Sequence, residues 1–446
     1  MGKSRVGERY SVSFALPVSG HGDGDAVVYN DASVSAFVMN IPLDSLPYGT
    51  ANIVGSSGST ANPISGTYGK MIITGLGSST KSFELPIYVV SAVRTEISQD
   101  SDSIALSFLL GDNALHGVME PVAINGTSVE AMAKLFSIVG EEVVDEVSPA
   151  KGNGGVSDNM TWRFVEGSIS DHLDGVVEHA SIPGDILFWA FDDSRMGFRI
   201  GTFNVSKAAK KKHFFMFTTD SVTTTDSAMQ QLKGSDTGIW YYSGYLPSDH
   251  AGETREPRSP NLVIDSTASG TTKDTGVCNN ECWQAVLSSM GASQEYFEDS
   301  AYGQQFVVKP FPSNTHKTYA IAPFVRSFML SEYSKTVRLK IYNHPGPPVG
   351  SCVHFYAASP RVKSGDFLPD ENYTAKYIVV GKTITKNATV GTGMLGKARM
   401  ATTTDMVTEL VMVSNAGYSG AEGAEFKAVM SVADAMTQDI RNSEKK

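Results

Sequence analysis

Val337-Arg338-Leu339-Lys340-Ile341 alternates apolar and charged residues without a break. A period of two gives a strand with one buried face and one wet face. Val337, Leu339 and Ile341 are expected to pack inward. Arg338 and Lys340 are expected to lie on the wet face. Tyr342-Asn343-His344-Pro345 follows, then Val349-Gly350-Ser351-Cys352-Val353-His354-Phe355. Far upstream, Tyr88–Val93 and Ser103–Phe108 have the same β character. The chain therefore reads as α+β and mainly β, with two separated half-buried sheets and short helices and polar loops between them.

In the upstream region the β runs are Ala26–Tyr29, Val34–Met39, Lys70–Thr74, Pro86–Val93 and Ser103–Leu110. Gly49 to Gly69 is rich in Gly, Ser, Thr and Asn and is expected to be a long loop or hairpin tip. The period then changes. Thr127-Ser128-Val129-Glu130 has the spacing of a capping box, with Val129, Met132, Phe136 and Val139 on one helical face and Gly140 at the end. A second helix starts near Ser168, with Ile169, Leu173, Val176, Val177 and Ala180 as its stripe and Pro183-Gly184 as its stop. Ile186–Phe191 and Phe198–Phe203 flank Asp192-Asp193-Ser194-Arg195-Met196-Gly197 and read as a hairpin. Residues 218–275 are polar, apart from the aromatic island Trp240-Tyr241-Tyr242, which reads as a strand. A short helix is expected at 281–290 and an amphipathic helix at 424–441.

These readings divide the chain into an arm (1–25), a first β domain (26–115) and a small α/β domain (116–205). A loop-rich insertion (206–317), a second β domain (318–415) and a C-terminal amphipathic helix with its tail (416–446) follow.

The sequence has 446 residues, and charged residues make up only 19% of it, below the roughly 25% of an ordinary domain. A weakly charged surface fits a chain partly covered by partners. The net charge of −11 argues against a general nucleic-acid binder, which needs a basic face. Three cysteines, Cys278, Cys282 and Cys352, supply no disulfide framework. No signal peptide is expected, and no run of about 18 apolar residues offers a membrane span.

Chemistry-bearing motifs are weak. Gly391-Thr392-Gly393-Met394-Leu395-Gly396-Lys397-Ala398 resembles phosphate-binding loops, but Ala398 lacks the hydroxyl that would hold Mg²⁺, and no helix pattern follows. It is read as a loop between strands. Cys278 and Cys282 lack nearby ligands to complete a zinc site. His172 and His179 are seven residues apart, not four. Glu178, Asp185, Asp192 and Asp193 fit turns and helix surfaces. Lys207, Lys210, Lys211 and Lys212 form the one basic cluster, read as a solvated loop. No catalytic residue, metal or cofactor is expected.

One family resemblance rests on the order of these elements. Ile124-Asn125-Gly126-Thr127-Ser128-Val129-Glu130-Ala131 opens the first helix. Met160–Asp174 and Gly184–Asp193 follow, then Val337–Ile341, Asn343-His344-Pro345, Val349–Val353, Tyr377–Lys382 and Thr408–Val413. In this order, over about Ala26 to Val413, the chain resembles a baseplate hub protein of contractile-tailed bacteriophages. That family is related to late-control tail proteins and contractile-injection hubs. The resemblance implies two tube-like antiparallel β-barrels with inserted α/β segments, assembled as a homotrimer. It implies a structural virion protein in the tail baseplate, adapting a sixfold tail tube to a threefold central spike. The implied partners are the tube protein, the spike, other baseplate proteins, and DNA that passes without specific binding. Val337, Arg338, Leu339, Lys340 and Ile341 become interface candidates. The alternatives are a tail-associated lytic hydrolase, which needs a paired carboxylate or metal constellation, and a receptor-binding adhesin, which needs exposed sugar-binding aromatics.

Overall fold

The computed structural model describes residues 9–19, 26–56, 63–76, 82–98, 101–141, 143–145, 158–182, 185–193 and 195–203. It also describes 214–218, 238–242, 245–249, 262–265, 275–277, 306–308, 319, 322, 326, 330, 333, 335–342, 346–355, 373, 375–389 and 403–414. The first β region holds β1 (Arg9–Pro17), β2 (Ala26–Tyr29), β3 (Val34–Pro42), β4 (Tyr48–Ser56), β5 (Thr67–Leu76), β6 (Ser82–Ser98) and β7 (Ser101–Leu110). They are antiparallel neighbours in the order β3-β4-β7-β6-β5-β1-β2. The sheet curls, so that Phe14 on β1 meets Phe37 on β3 and Phe108 on β7, with ring centroids 6.3 and 5.6 Å away. All three rings are fully buried. Each is worth roughly 1.5–3 kcal/mol of burial.

Two expectations change here. The arm expected over 1–25 contributes β1, which pairs with β5 from Arg9 to Ala15. The loop expected over 49–69 contains β4, an interior strand between β3 and β7. Its Gly, Ala, Thr and Asn residues have weak strand propensity of their own. Packing explains the choice. A Cβ on Gly49 would lie 2.3 Å from the Val38 carbonyl oxygen and 2.6 Å from Phe108 Cζ. Only glycine lets β4 lie flat over that ring.

The α/β unit follows: α1 (Asn113–His116), β8 (Val118–Met119), β9 (Val122–Gly126), α2 (Ser128–Ile138), β10 (Val143–Asp145), β11 (Met160–Phe164), β12 (Gly167–Ser168), α3 (Ile169–His179), β13 (Ile186–Asp192) and β14 (Gly197–Phe203). Thr127 caps α2 and Ser168 caps α3, each in a reciprocal box, with Glu130 and Asp171 respectively. Gly140, at φ 79°, ends α2 in the left-handed region. The Glu141 N–H donates to Phe136 O and the Gly140 N–H to Ser137 O, which satisfies two orphan carbonyls. β13 and β14 form the expected hairpin. Every residue of β13 is buried, as its unbroken apolar run requires. Phe136 stacks on Phe198 at 5.2 Å and meets Trp189 edge-on at 6.1 Å.

Beyond it lie β15 (Phe214–Thr218), β16 (Gly238–Tyr242), β17 (Tyr245–Asp249), β18 (Leu262–Asp265), β19 (Thr275–Val277), β20 (Phe306–Val308), β21 (Lys335–Tyr342), β22 (Cys352–Phe355), β23 (Ala375–Thr389) and β24 (Thr403–Ser414). The insertion expected over 206–317 supplies strands to the second β region. β15 runs parallel to β22 and β16, and β17 pairs with β21. The two β regions are also continuous. β23 carries β24 along one side, from Ile378 to Thr389. Its other side pairs with β22 from Ala375 to Ile378, then with β3 from Gly381 to Asn387. The register slips between Val379 and Gly381, and that bulge marks the change of partner. Three backbone groups at the fork find partners there. The Val379 N–H donates to Ser351 O, its carbonyl accepts from Gly350, and the Val380 carbonyl accepts from Leu43. The result is one 14-stranded sheet. The segments expected as helices at 281–290 and 424–441 lie outside the described residues.

Gly49→Val should destabilise the protein by about 1–3 kcal/mol, because neither the Val38 backbone nor the packed Phe108 ring can retreat cheaply. Thr50→Val, on the outward face one residue along, should stay within about 0.5 kcal/mol. Urea denaturation of the two variants against the parent checks both values.

Candidate functional site

The interface candidates sit on β21. Val337 and Leu339 are 0% and 1% exposed. Arg338 and Lys340 lie on the opposite, exposed face. Ile341 pairs through its backbone with Thr408; its side chain lies outside the described residues. β21 is not an open edge. β24 pairs with it from Lys335 to Tyr342, and β17 covers its other side from Lys335 to Leu339. From Lys335 to Leu339 another chain could therefore reach this strand only through side chains, not by strand addition. Lys340 Nζ lies 4.0 Å from Glu409 Oε2, with both side chains well exposed, so the pair adds little stability.

Lys340 begins a row that crosses the whole joined sheet. Following the register, Lys340 stands opposite Glu409, Glu409 opposite Thr383, and Thr383 opposite Asn40. The row continues through Tyr48, Leu109 and Tyr88 to Tyr68. Thr383 Oγ1 donates to Asn40 Oδ1 at 2.8 Å across the junction of the two β regions. The adjacent row reads Val407, Thr385, Val38, Thr50, Ser107 and Ser91. From Thr383 and Thr385 onward, both rows consist of hydroxyl, amide, aromatic and aliphatic groups. The outward face of the joined sheet is thus uncharged across its middle.

The inward side of β23 is the reverse. Lys382, Ile384 and Lys386 share one parity and are 2%, 4% and 3% exposed. Lys382 Nζ donates to Asp193 Oδ2 at 2.5 Å, which ties the second β region to the β13–β14 turn. Lys386 Nζ donates to Asp31, whose carboxylate also accepts from the Val12 N–H. Burial pushes the Asp193 carboxyl up and the Lys382 ammonium down, while their mutual attraction opposes both shifts. A hydrogen-bonded pair that deep is costly to break singly.

A second ionic joint links three parts of the chain. Asp44, in the β3–β4 turn at φ 52°, accepts from the Trp189 N–H at 2.9 Å and donates its own N–H to the Trp189 carbonyl. Arg326 donates Nη2 to Asp44 Oδ2 at 2.6 Å and Nη1 to Leu187 O at 2.6 Å. Trp189 Nε1 donates to Asp174 Oδ1 on α3 at 3.3 Å. Neither joint is legible in the sequence. The one local signal was Ile384, whose parity with Lys382 and Lys386 places both lysines inward once β23 has a buried face.

The remaining expected residues are scattered. Buried His172 lies against Phe164, ring centroids 5.1 Å apart, and burial lowers its pKa. His179 stacks on Tyr319 at 3.6 Å, with Nδ1 2.7 Å from the Tyr319 carbonyl. Asp192 lies 3.9 Å from Arg195. The Trp240 island forms β16. Gly391–Lys397, Cys278, Cys282 and Lys207–Lys212 lie outside the described residues. Among the described residues, no group of His, Cys, Asp or Glu is arranged to hold a metal. No helix among them is long and apolar enough to cross a membrane.

No protein-family model matches the sequence, and no curated protein matches it. Its structural neighbours are tail and injection-system proteins. They include the tail protein from Neisseria meningitidis MC58, at 12% identity and TM-score 0.48, covering 91% of this chain and 97% of that one. The 43 kDa tail protein of prophage MuSo2 from Shewanella oneidensis gives 9% identity and TM-score 0.45, over 91% and 98% of the two chains. An E. coli component of the type VI secretion system, described as structurally similar to T4 tail proteins, gives 7% and 0.42 over 86% and 74%.

Lys382→Ala should cost about 3–5 kcal/mol, since it strands Asp193 in the core. The double variant Lys382→Met with Asp193→Leu should fall much nearer the parent. Lys340→Ala should change almost nothing. Denaturant midpoints for the three variants test this ordering.

Proposed function

We propose that this chain is a structural protein of a phage tail, and more specifically a homotrimeric baseplate hub. The observation that carries the proposal is the outward face of the joined sheet. Two β regions, distant in sequence, are fused through β23 and β3 into a single surface without charge across its middle. Such a surface suits a channel wall. Lysines and arginines on a wall would bind phosphates, release counterions and hold DNA where it must slide. Thr383, Asn40, Thr50 and Ser107 offer neutral groups that exchange readily with water.

In this reading each chain supplies two tube-like β units, and three chains close a ring of pseudo-sixfold character. A closed ring covers strand edges that would otherwise aggregate. The ring adapts the sixfold tail tube to the threefold central spike and contacts other baseplate proteins. It resides in the virion tail, having assembled in the host cytoplasm. Val337 and Leu339 stabilise the unit from within, while Arg338 and Lys340 stand at the rim of the face, where a neighbouring chain or the spike would meet them. The role requires no catalytic residue, metal or cofactor.

Sedimentation at micromolar concentration should give a particle of three times the 47.7 kDa chain mass, or, on mixing with the spike protein, three chains plus the mass of the bound spike. A monomer that stays monomeric with the spike present would overturn the hub reading. Double-stranded DNA should not be retained by the particle at low salt. Retention that weakens steeply with salt would contradict the neutral-wall argument.

A further inference from the structure

The charge of the chain is unevenly placed. Residues 116–205 carry 14 acidic and 5 basic side chains, so −9 of the net −11 sits in the α/β unit. Much of it is on the surface. Glu120, Glu166, Asp171, Asp174 and Glu178 are exposed, and Arg163 is the one exposed Lys or Arg within 118–126 and 160–179. An apolar tip lies in this acidic surface. β8 and β9 pair with β12 and β11 in one common register, Met119 opposite Gly167 and Val122 opposite Phe164. Pro121, which has no N–H to offer, interrupts the ladder between them. Val118 and Val165 stand on the two facing strands beside that break. They are 69% and 72% exposed, more than any other large apolar residue described. By the register they lie roughly 10 Å apart. Pro121 is exposed and Met119 half-buried between them.

The tip is held firmly. Ser168, opposite Val118, caps α3 in its reciprocal box with Asp171. Gly167 lies flat on the buried His172 ring; a Cβ there would be 2.9 Å from Cε1. Ile124, Trp162 and Phe164 bury the inner face of the ribbon. Exposed valines gathered on a fixed ribbon mark a contact surface, where singly scattered ones would not. We propose that this tip docks a partner protein whose contact patch is apolar at its centre and ringed by Lys or Arg. Val118, Met119, Pro121 and Val165 supply the apolar centre on this side. Glu120, Glu166 and Asp171 set the sign of the rim. They repel a nucleic acid, an anionic membrane, and equally a second copy presenting the same tip. A cationic rim is drawn in by these acids, and the covered valines hold the complex once it forms.

The inference takes from the tail reading only its choice of probes. The full chain is mixed singly with the purified spike, the tube protein and each other baseplate protein of the same tail. Binding is followed by interferometry at about 50 and about 500 mM NaCl. One of these proteins should bind, about tenfold more weakly at the higher salt. Val118→Ser with Val165→Ser should weaken that binding by about tenfold or more at both salts. Glu120→Lys with Glu166→Lys should weaken it at low salt and remove most of the salt dependence. Carbodiimide should join Glu120 or Glu166 to a lysine of the bound protein. If either double variant does not fold, that crosslink on the parent chain decides. The proposal is overturned if none of the proteins binds, or if the complex is indifferent to the valine pair. Tighter capture of the tip by DNA or anionic lipid vesicles than by any of these proteins would also overturn it. Sedimentation separates the two readings. Tip binding by a chain that stays monomeric ends only the hub reading, and a trimer without tip binding ends only this one.

Discussion

The pairing of β23 with β3 is the constraint on which the rest of the structure depends. A strand of 15 residues has β24 along one side and must satisfy its other side with two different partners. The bulge at Val380 makes this possible. Before it, the backbone serves β22; after it, the backbone serves β3, more than 300 residues away in sequence. Were the bulge absent, the strand would meet β3 with its side chains reversed. Lys382 and Lys386 would then point to solvent, and Thr383 and Thr385 into the core.

The polarity of the two faces follows from that register. Lysines inward and threonines outward invert the usual arrangement of a half-buried strand. Each inward lysine reaches an aspartate on another element, Asp193 in the β13–β14 turn and Asp31 in the β2–β3 turn. These pairs add little net stability beyond what apolar residues of the same size would give, but they penalise any other register heavily. The outward threonines, with Asn40, Thr50 and Ser107, leave a neutral surface. One choice of register thus orients both β regions and sets the chemistry of the face they share.

Local features were legible in the sequence, and long-range ones were not. The caps at Thr127 and Ser168, the β13–β14 hairpin and the alternation at 337–340 each depend on residues a few positions apart. Gly49 to Ser56 has no such pattern, because β4 owes its place to Val38 and Phe108 on flanking strands rather than to its own propensity. The segment around β15 and β17 is polar in composition, yet its short apolar runs add strands to the sheet. The fork could not be read at all, since nothing near Lys382 announces Val38 or Asn40. The two ionic joints were hidden for the same reason: Asp193, Asp31, Asp44 and Arg326 look like ordinary turn and surface residues until the sheet closes.

In the proposed hub, the joined, uncharged sheet face is turned toward the axis of a ring. A cryo-electron microscopy reconstruction of the purified oligomer, with no symmetry imposed at first, tests it most directly. The expected result is threefold density with Thr383, Asn40, Thr50 and Ser107 lining a central hole. A particle in which those residues face bulk solvent on the outside, or are covered by a globular partner with no channel between, would contradict it.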